Sequence, residues 1–159
     1  MLELASHKLE SMYEEHQVTL NHLALLVQAI RAPRSIRDAA RPQYRALLQT
    51  MLSDLEVNVE DHLRFEEHHL FPALRDAGRA DLAESLIRDH MTLKEMTKPL
   101  LAHLHHALAE DLSEEEWTEF GQLTMALIVK KRAHMQLEEF EMIPVLRTIL
   151  SEQQGEPRA

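Results

Sequence analysis

The stretch that decides the fold is HLRFEEHHLFPAL, residues 62–74, which recurs as HMQLEEFEMIPVL, residues 134–146. The two copies share a histidine, a Glu-Glu pair, a proline and a final leucine at identical offsets. In each copy a glutamate follows the histidine by four residues, so an α-helix presents both side chains on one face, one turn apart. The repeat therefore predicts two helices that carry the same His-Glu pair.

A weaker repeat precedes each copy. EEHQVTL around His16 resembles RDHMTLK around His90, with an acidic residue directly before the histidine in both. Each of these histidines lies at nearly the same distance before the histidine of the following copy. The chain is therefore interpreted as a two-helix hairpin that is used twice.

Composition and spacing together predict an all-α protein. Gly and aromatic residues are scarce, whereas Leu, Ala, Glu, Met and Arg, which favour helices, are abundant. Gly78 is a natural helix end, and Ser113 with Glu116 matches a capping box at a helix start. Apolar residues at helical spacing predict four helices, at residues 4–30, from Gln43 towards Gly78, from Ala80 to about Glu110, and from about Glu114 to Leu150. We expect an antiparallel up-down-up-down four-helix bundle.

The segments outside these helices complete the predicted domain organisation. RAPRSIRDAARP, residues 31–42, contains two prolines and is interpreted as a loop with room for a short helical turn. A single domain is expected over residues 1–151. The polar residues 152–159 are expected to form a C-terminal tail.

Charge and composition exclude several classes of protein. The formal net charge of -10 argues against nucleic-acid binding and against an anionic membrane surface. The chain has no cysteine, so disulfides, thiolate metal sites and thiol nucleophiles are impossible. MLELASHKLE at the start lacks the basic and apolar segments of a secretory signal, and no apolar run reaches the ~20 residues of a membrane span. We expect a cytoplasmic protein.

The repeated histidines and glutamates lie in apolar stripes. Leu55 and Val59 share the face of His62, and Leu127 shares the face of His134. Such stripes face the core of a bundle, where carboxylates without partners are costly. A bound metal would satisfy imidazole nitrogens and carboxylate oxygens that converge in one buried layer. These donors suit Fe, Mn, Zn or Co. The candidate metal ligands are His16, His62, Glu66, His90, His134 and Glu138.

The number of candidate ligands favours two metals over one. A single structural zinc is closed by four ligands. Two glutamates that each use both oxygens can bridge a metal pair, and four histidines then give two further ligands to each metal. Each metal would keep room for a small ligand.

The order His, His-x-x-x-Glu, His, His-x-x-x-Glu on four helices resembles the hemerythrin-like, or HHE cation-binding, family. The similarity covers about residues 5–150 and includes the Leu-Phe-Pro that follows the first Glu-Glu pair. It implies a four-helix bundle with a centre of two non-haem iron ions, for which Mn or Zn are possible substitutes. The family's ligands correspond to the same six residues, and its centre meets O2, NO or peroxide.

The chain departs from the oxygen carriers of that family. Those proteins typically have His-x-x-x-His on the third helix and a carboxylate five residues after the fourth-helix histidine. Here Lys94 lies four residues after His90, and Glu139 lies beside the better-placed Glu138. The resemblance therefore predicts the two-metal site but not reversible oxygen carriage.

A fifth histidine ligand is a separate hypothesis. His69 lies three residues after Glu66, which would give a Glu-x-x-His pattern as in ferritin-like carboxylate sites. Glu141 stands at the matching place in the second copy, so the repeat does not support this hypothesis. The remaining histidines are expected to face solvent or the rim of the bundle.

Three functions are compatible with such a site. The first is a metal protein that binds or senses O2 or NO, or that handles iron. The second is a di-iron enzyme that consumes peroxide or O2, and the third is a bundle in which the metal is purely structural. No residues of an evident substrate pocket appear, which favours binding over catalysis. The expected partner is a diatomic ligand or peroxide, with a homodimer or another protein partner also possible.

Overall fold

The computed structural model describes residues 2–39 and 41–153, and it is helical almost throughout. No strand occurs in these residues, which confirms the all-α prediction. The described helices are α1 (Leu2–Arg31), α2 (Arg34–Ala39), α3 (residues 41–76), α4 (Ala80–Ala109) and α5 (residues 114–153). None of the helices in these ranges combines the length and the apolar character needed to cross a membrane.

The helix ends follow the predicted signals. Gly78 has φ +75° and lies two residues after the end of α3, where the Arg79 N–H donates to the Leu74 carbonyl at 2.8 Å. At the start of α5 the Ser113 hydroxyl accepts from the Glu116 N–H, and the Glu116 carboxylate accepts from the Ser113 N–H at 2.8 Å. Both terminal signals in the sequence are therefore confirmed.

The connection between α1 and α3, which was predicted as a loop, is largely helical. Residues 34–39 form α2, and α3 begins at Arg41, ahead of the predicted start. Arg37 attaches α2 to the end of α1, because it is buried and donates hydrogen bonds to the carbonyls of Ile30 and Ala32. Its guanidinium also lies 4.9 Å from the ring of Trp117. The predicted tail at residues 152–159 lies outside the described residues, except for two residues that extend α5.

Two apolar clusters form the core, and each takes residues from α1, α3, α4 and α5. The larger cluster includes the fully buried Leu26, Met51, Leu100 and Phe120. The smaller cluster takes Leu9 and Met12 from α1 and residues from the C-terminal part of α3 and α5 and the N-terminal part of α4. The up-down-up-down order stays a prediction. It is supported by the smaller cluster, in which N-terminal parts of α1 and α4 pack with C-terminal parts of α3 and α5.

Both copies of the repeated stretch contain a π-helical turn that begins at the glutamate. The turns span Glu66–Leu70 and Glu138–Met142, and in each the N–H five residues after the glutamate bonds to the glutamate carbonyl. Pro72 and Pro144 each lie two residues after the end of a turn. A proline has no N–H to donate and its ring clashes with the carbonyl four residues earlier, and a wider turn relieves that clash. The repeated proline therefore explains a repeated distortion at the site.

Candidate metal centre

The six predicted ligands meet in one layer between the two apolar clusters. They come from α1, α3, α4 and α5, so side chains that are distant in the sequence lie close together in space. Five of them are at most 2 % exposed, and the His62 side chain is 12 % exposed. Burying carboxylates in a layer with so little solvent exposure costs free energy unless a cation balances their charge. This donor set is therefore suited to a bound cation.

Each glutamate lies between the two pairs of histidines. Glu66 Oε1 is 3.0 Å from His62 Nε2, and its Oε2 is 3.2 Å from His90 Nε2. Glu138 Oε2 is 3.3 Å from His16 Nε2, and its Oε1 is 2.8 Å from His134 Nε2. One oxygen of each carboxylate thus faces each histidine pair.

The same atoms form two overlapping four-ligand sets. In each set the ligand atoms lie within 4.8 Å of one another, and both sets contain Glu66 and Glu138. None of the four carboxylate oxygens accepts a hydrogen bond of good geometry from the described part of the chain. Short distances without hydrogen-bond alignment are what a shared metal produces, because the lone pairs then point at the ion rather than at one another. One set is completed by His16 and His62, and the other by His90 and His134.

In each of the four candidate ligand histidines, the second ring nitrogen, Nδ1, faces a carboxylate. Three of these contacts are hydrogen bonds of 2.9–3.0 Å, and the fourth is an approach of 3.5 Å. A carboxylate on Nδ1 fixes the tautomer that leaves Nε2 free to ligate, and it makes the imidazole a better donor. The pairs are His16 with Glu139, His62 with Glu15, His90 with Glu67, and His134 with Asp89.

These four carboxylates stand at matching places in the two halves of the chain. The prediction from the sequence did not include them. Glu15 and Asp89 directly precede the histidines of α1 and α4, and Glu67 and Glu139 are the second members of the two Glu-Glu pairs. Each orients a histidine of the neighbouring helix. The signal was present, since the acid before each first histidine and the second glutamate of each pair are both repeated.

The electrostatics show how tightly the layer is coupled. Burial alone would lower the pKa of His62, but Glu66 and Glu15 outweigh it and raise that pKa to about 10. In the same way Glu138 and Glu66 overcome burial and raise the pKa of His90 to about 9. Burial would raise the pKa of Glu138, yet the surrounding histidines, His134 first, hold it well below its usual value. Without metal, therefore, Glu138 keeps its charge, and His62 and His90 hold their protons.

His69 does not join the layer. It is exposed, and its ring centroid lies 4.9 Å from that of Phe65. The prediction of a shared face with Glu66 assumed α-helical rotation, and the π-helical turn that begins at Glu66 changes the rotation for the next residues. Most remaining histidines lie at the surface or rim as expected, namely His22, His68, His103, His105 and His106, whereas the His7 side chain lies outside the described part.

Comparison with known families agrees with this geometry. Residues 7–146 match the family model described as the Hemerythrin HHE cation binding domain. The match covers most of the chain and confirms the resemblance drawn from the six-residue pattern. No curated protein and no solved structure matches the chain.

Proposed function

We propose that this chain, which belongs to the hemerythrin HHE cation-binding family, holds two iron ions in its bundle core and binds a small ligand there, namely O2, NO or peroxide. The observation that carries the proposal is the position of Glu66 and Glu138, each with one oxygen towards each histidine pair. A single metal would have no use for two carboxylates placed in this way. Mn or Zn are possible substitutes, since both accept the same donors.

The roles of the residues follow from the two overlapping sets. His16 and His62 would hold one metal, His90 and His134 the other, and the two glutamates would bridge them. When bound, the iron pair supplies Lewis acidity and redox chemistry towards small ligands. The chain itself holds the ions, orients each imidazole through a carboxylate on Nδ1, and excludes bulk water with an apolar cluster on either side of the layer.

Lys94 supports a role other than reversible oxygen carriage. It occupies the place of the fifth histidine found in oxygen carriers of the family, and its Nζ pairs with Glu67 at 3.1 Å. A lysine held in an ion pair cannot serve as a ligand. The proposed ligand set therefore contains four histidines, and the proposed partner is a small molecule rather than a nucleic acid.

Exposure of iron-loaded protein to small ligands tests this function. Protein loaded with Fe(II) without oxygen is expected to change its visible absorption on addition of NO, O2 or peroxide, because these molecules reach the metals. Zinc-loaded protein is the control, since it has the same donors but no redox chemistry. Iron-loaded protein that responds to none of the three would contradict ligand binding and leave the metal a structural role.

A further inference from the structure

Lys131 is a buried lysine on the face of α5 that carries the metal ligands. It is 4 % exposed and lies three residues before His134 and seven residues before Glu138. Seven residues are about two turns of an α-helix, so the three side chains share one face. Burying a cation costs free energy unless negative charge nearby compensates for it, so the position of Lys131 requires an explanation.

The internal repeat shows that packing alone does not require a lysine here. His62 and His134 stand at matching places, so the counterpart of Lys131 in the first copy is Val59. Both residues are buried, Val59 with 8 % exposure, and both line the cavity beside His16 and His62. An apolar side chain therefore fills this position in one copy, and the charge in the other copy is the feature to be explained.

The compensating negative charge lies in the ligand layer itself. Burial lowers the pKa of Lys131, whereas the charges of Glu138, Glu66 and Asp54 act in the opposite direction. All three carboxylates are buried, and Asp54 also lies 3.4 Å from His22. Charges in such a dry environment interact far more strongly than charges in water. The two glutamates that would bridge the metals are thus the main source of negative charge around Lys131.

The other carboxylates of the cavity wall are less able to balance the lysine. Glu14 and Asp61 line the same cavity but are exposed, where water and salt screen their charge. Glu15 is only partly buried and pairs with His62 at 3.0 Å. These three carboxylates therefore add to the negative charge of the wall without replacing the buried glutamates.

The lysines nearest to the layer in the sequence act on different carboxylates. Lys94 pairs with Glu67, and Lys130 pairs with Asp89. Both of these lysines are partly exposed, and both act on a carboxylate that orients a histidine through Nδ1. Lys131 differs from them because it is buried and its charge acts on the ligand carboxylates themselves.

We propose that Lys131 is a counter-cation of the ligand layer, which balances Glu66 and Glu138 when metal is absent and opposes the charge of bound metal. The proposal rests on the proposed function, because the opposed charge is that of the two ions. Two effects of opposite sign follow. The lysine stabilises the metal-free fold, since without it buried carboxylate charge is less well compensated. It also weakens metal binding, since like charges repel, and this repulsion disfavours trivalent iron more than divalent iron.

Zinc binding by two neutral variants tests the proposal. Lys131→Met keeps the length of the side chain, and Lys131→Val copies the residue of the first repeat. We expect both variants to bind zinc about tenfold or more tightly than wild type in chelator competition at pH 7. Their metal-free forms are expected to melt at a lower temperature than metal-free wild type. A packing defect would lower both the melting temperature and the zinc affinity, so the opposite signs identify an effect of charge.

Iron supplies a second readout, which depends on the oxidation state of the metal. In both neutral variants the reduction potential of the bound iron is expected to fall by about 59 mV or more per electron, which corresponds to a tenfold change for a one-electron step. Lys98→Met removes a charge from an exposed lysine that pairs with Glu95, and it should change neither zinc affinity nor potential. Lys131→Arg keeps the charge and should retain the zinc affinity of wild type.

The outcomes separate this proposal from the function on which it rests. Wild type that binds neither zinc nor iron would refute the proposed metal centre itself. Wild type that binds zinc, together with neutral variants of equal or weaker zinc affinity, would overturn the counter-cation role of Lys131. The same conclusion would follow if Lys131→Arg gained as much zinc affinity as Lys131→Met, because the gain would then not come from removal of the charge.

Discussion

Replacing Glu66 or Glu138 with alanine is expected to abolish the two-metal centre. Each carboxylate has one oxygen towards each histidine pair, so its removal takes a ligand from both metals at once. The loss of metal affinity should exceed the about 10–100-fold that follows removal of a partner outside the ligand set. Metal content at saturation and affinity by competition with a chelator measure the effect.

Two neighbouring glutamates provide matched controls for this result. Glu67 lies 2.9 Å from His90 Nδ1, so Glu67→Ala is expected to weaken metal binding about 10–100-fold while keeping the number of ions per chain. Glu141 is exposed and pairs with Arg79, so Glu141→Ala should change neither quantity. The assignment on α3 is wrong if Glu67→Ala destroys the site and Glu66→Ala spares it.

Metal-loaded protein is expected to melt well above metal-free protein at pH 7. The ions bind the folded layer and have no preformed site in the unfolded chain, so they stabilise the native state by mass action. The gain is about 2.7 kcal/mol when free metal exceeds its dissociation constant 100-fold. Calorimetric melting curves of the two forms measure the gap, and coincident curves with metal occupancy confirmed would refute a site in the core.

The pH dependence of that gap follows from the raised pKa values. The unfolded pKa of histidine is about 6.5, while folding raises that of His62 to about 10 and that of His90 to about 9. Protonation of these groups therefore stabilises the metal-free fold fully below about pH 6.5, and this contribution is lost as pH rises through 9 to 10. Metal needs the neutral imidazoles, so its affinity rises over the same range.

The gap should therefore widen as pH rises towards 9 to 10 and shrink steadily as pH falls below about 9. Loading at pH 7 should also release about two protons per chain, one each from His62 and His90, in a weakly buffered solution. Alanine variants of the four ligand histidines should each reduce the gap at pH 7, whereas His105→Ala should not, because His105 is exposed and pairs with Glu56. A gap that grows towards pH 5 would contradict the assignment of histidine ligands.

Much of the fold and the six clustered residues could be predicted because both follow from short-range periodicity. The spacing of four residues between His62 and Glu66 puts them on one helix face whatever the rest of the fold does. The repeat then required the same of His134 and Glu138, and the burial of both glutamates followed from the apolar residues around them. The capping box at Ser113 was predictable for the same reason, since its two hydrogen bonds join residues three positions apart.

The remaining features depend on distances between helices or on departures from regular helix geometry. The repeat marks Glu15, but its partner His62 lies on another helix, and no local pattern gives that pairing between α1 and α3. The π-helical turn Asp54–Asn58 is not followed by a proline, so the sequence gives no signal for it. The π-helical turn that begins at Glu66 explains why His69 does not lie on the predicted face.

The number of metal ions per chain tests the central claim most directly. Purified metal-free protein is titrated anaerobically with Fe(II), freed of excess metal, and analysed for iron and for protein in the same sample. Two carboxylates shared by two histidine pairs predict two ions per chain, with the second lost in Glu66→Ala and Glu138→Ala. A firm value of one ion, or of none, in the wild-type protein would contradict the bridged two-metal centre.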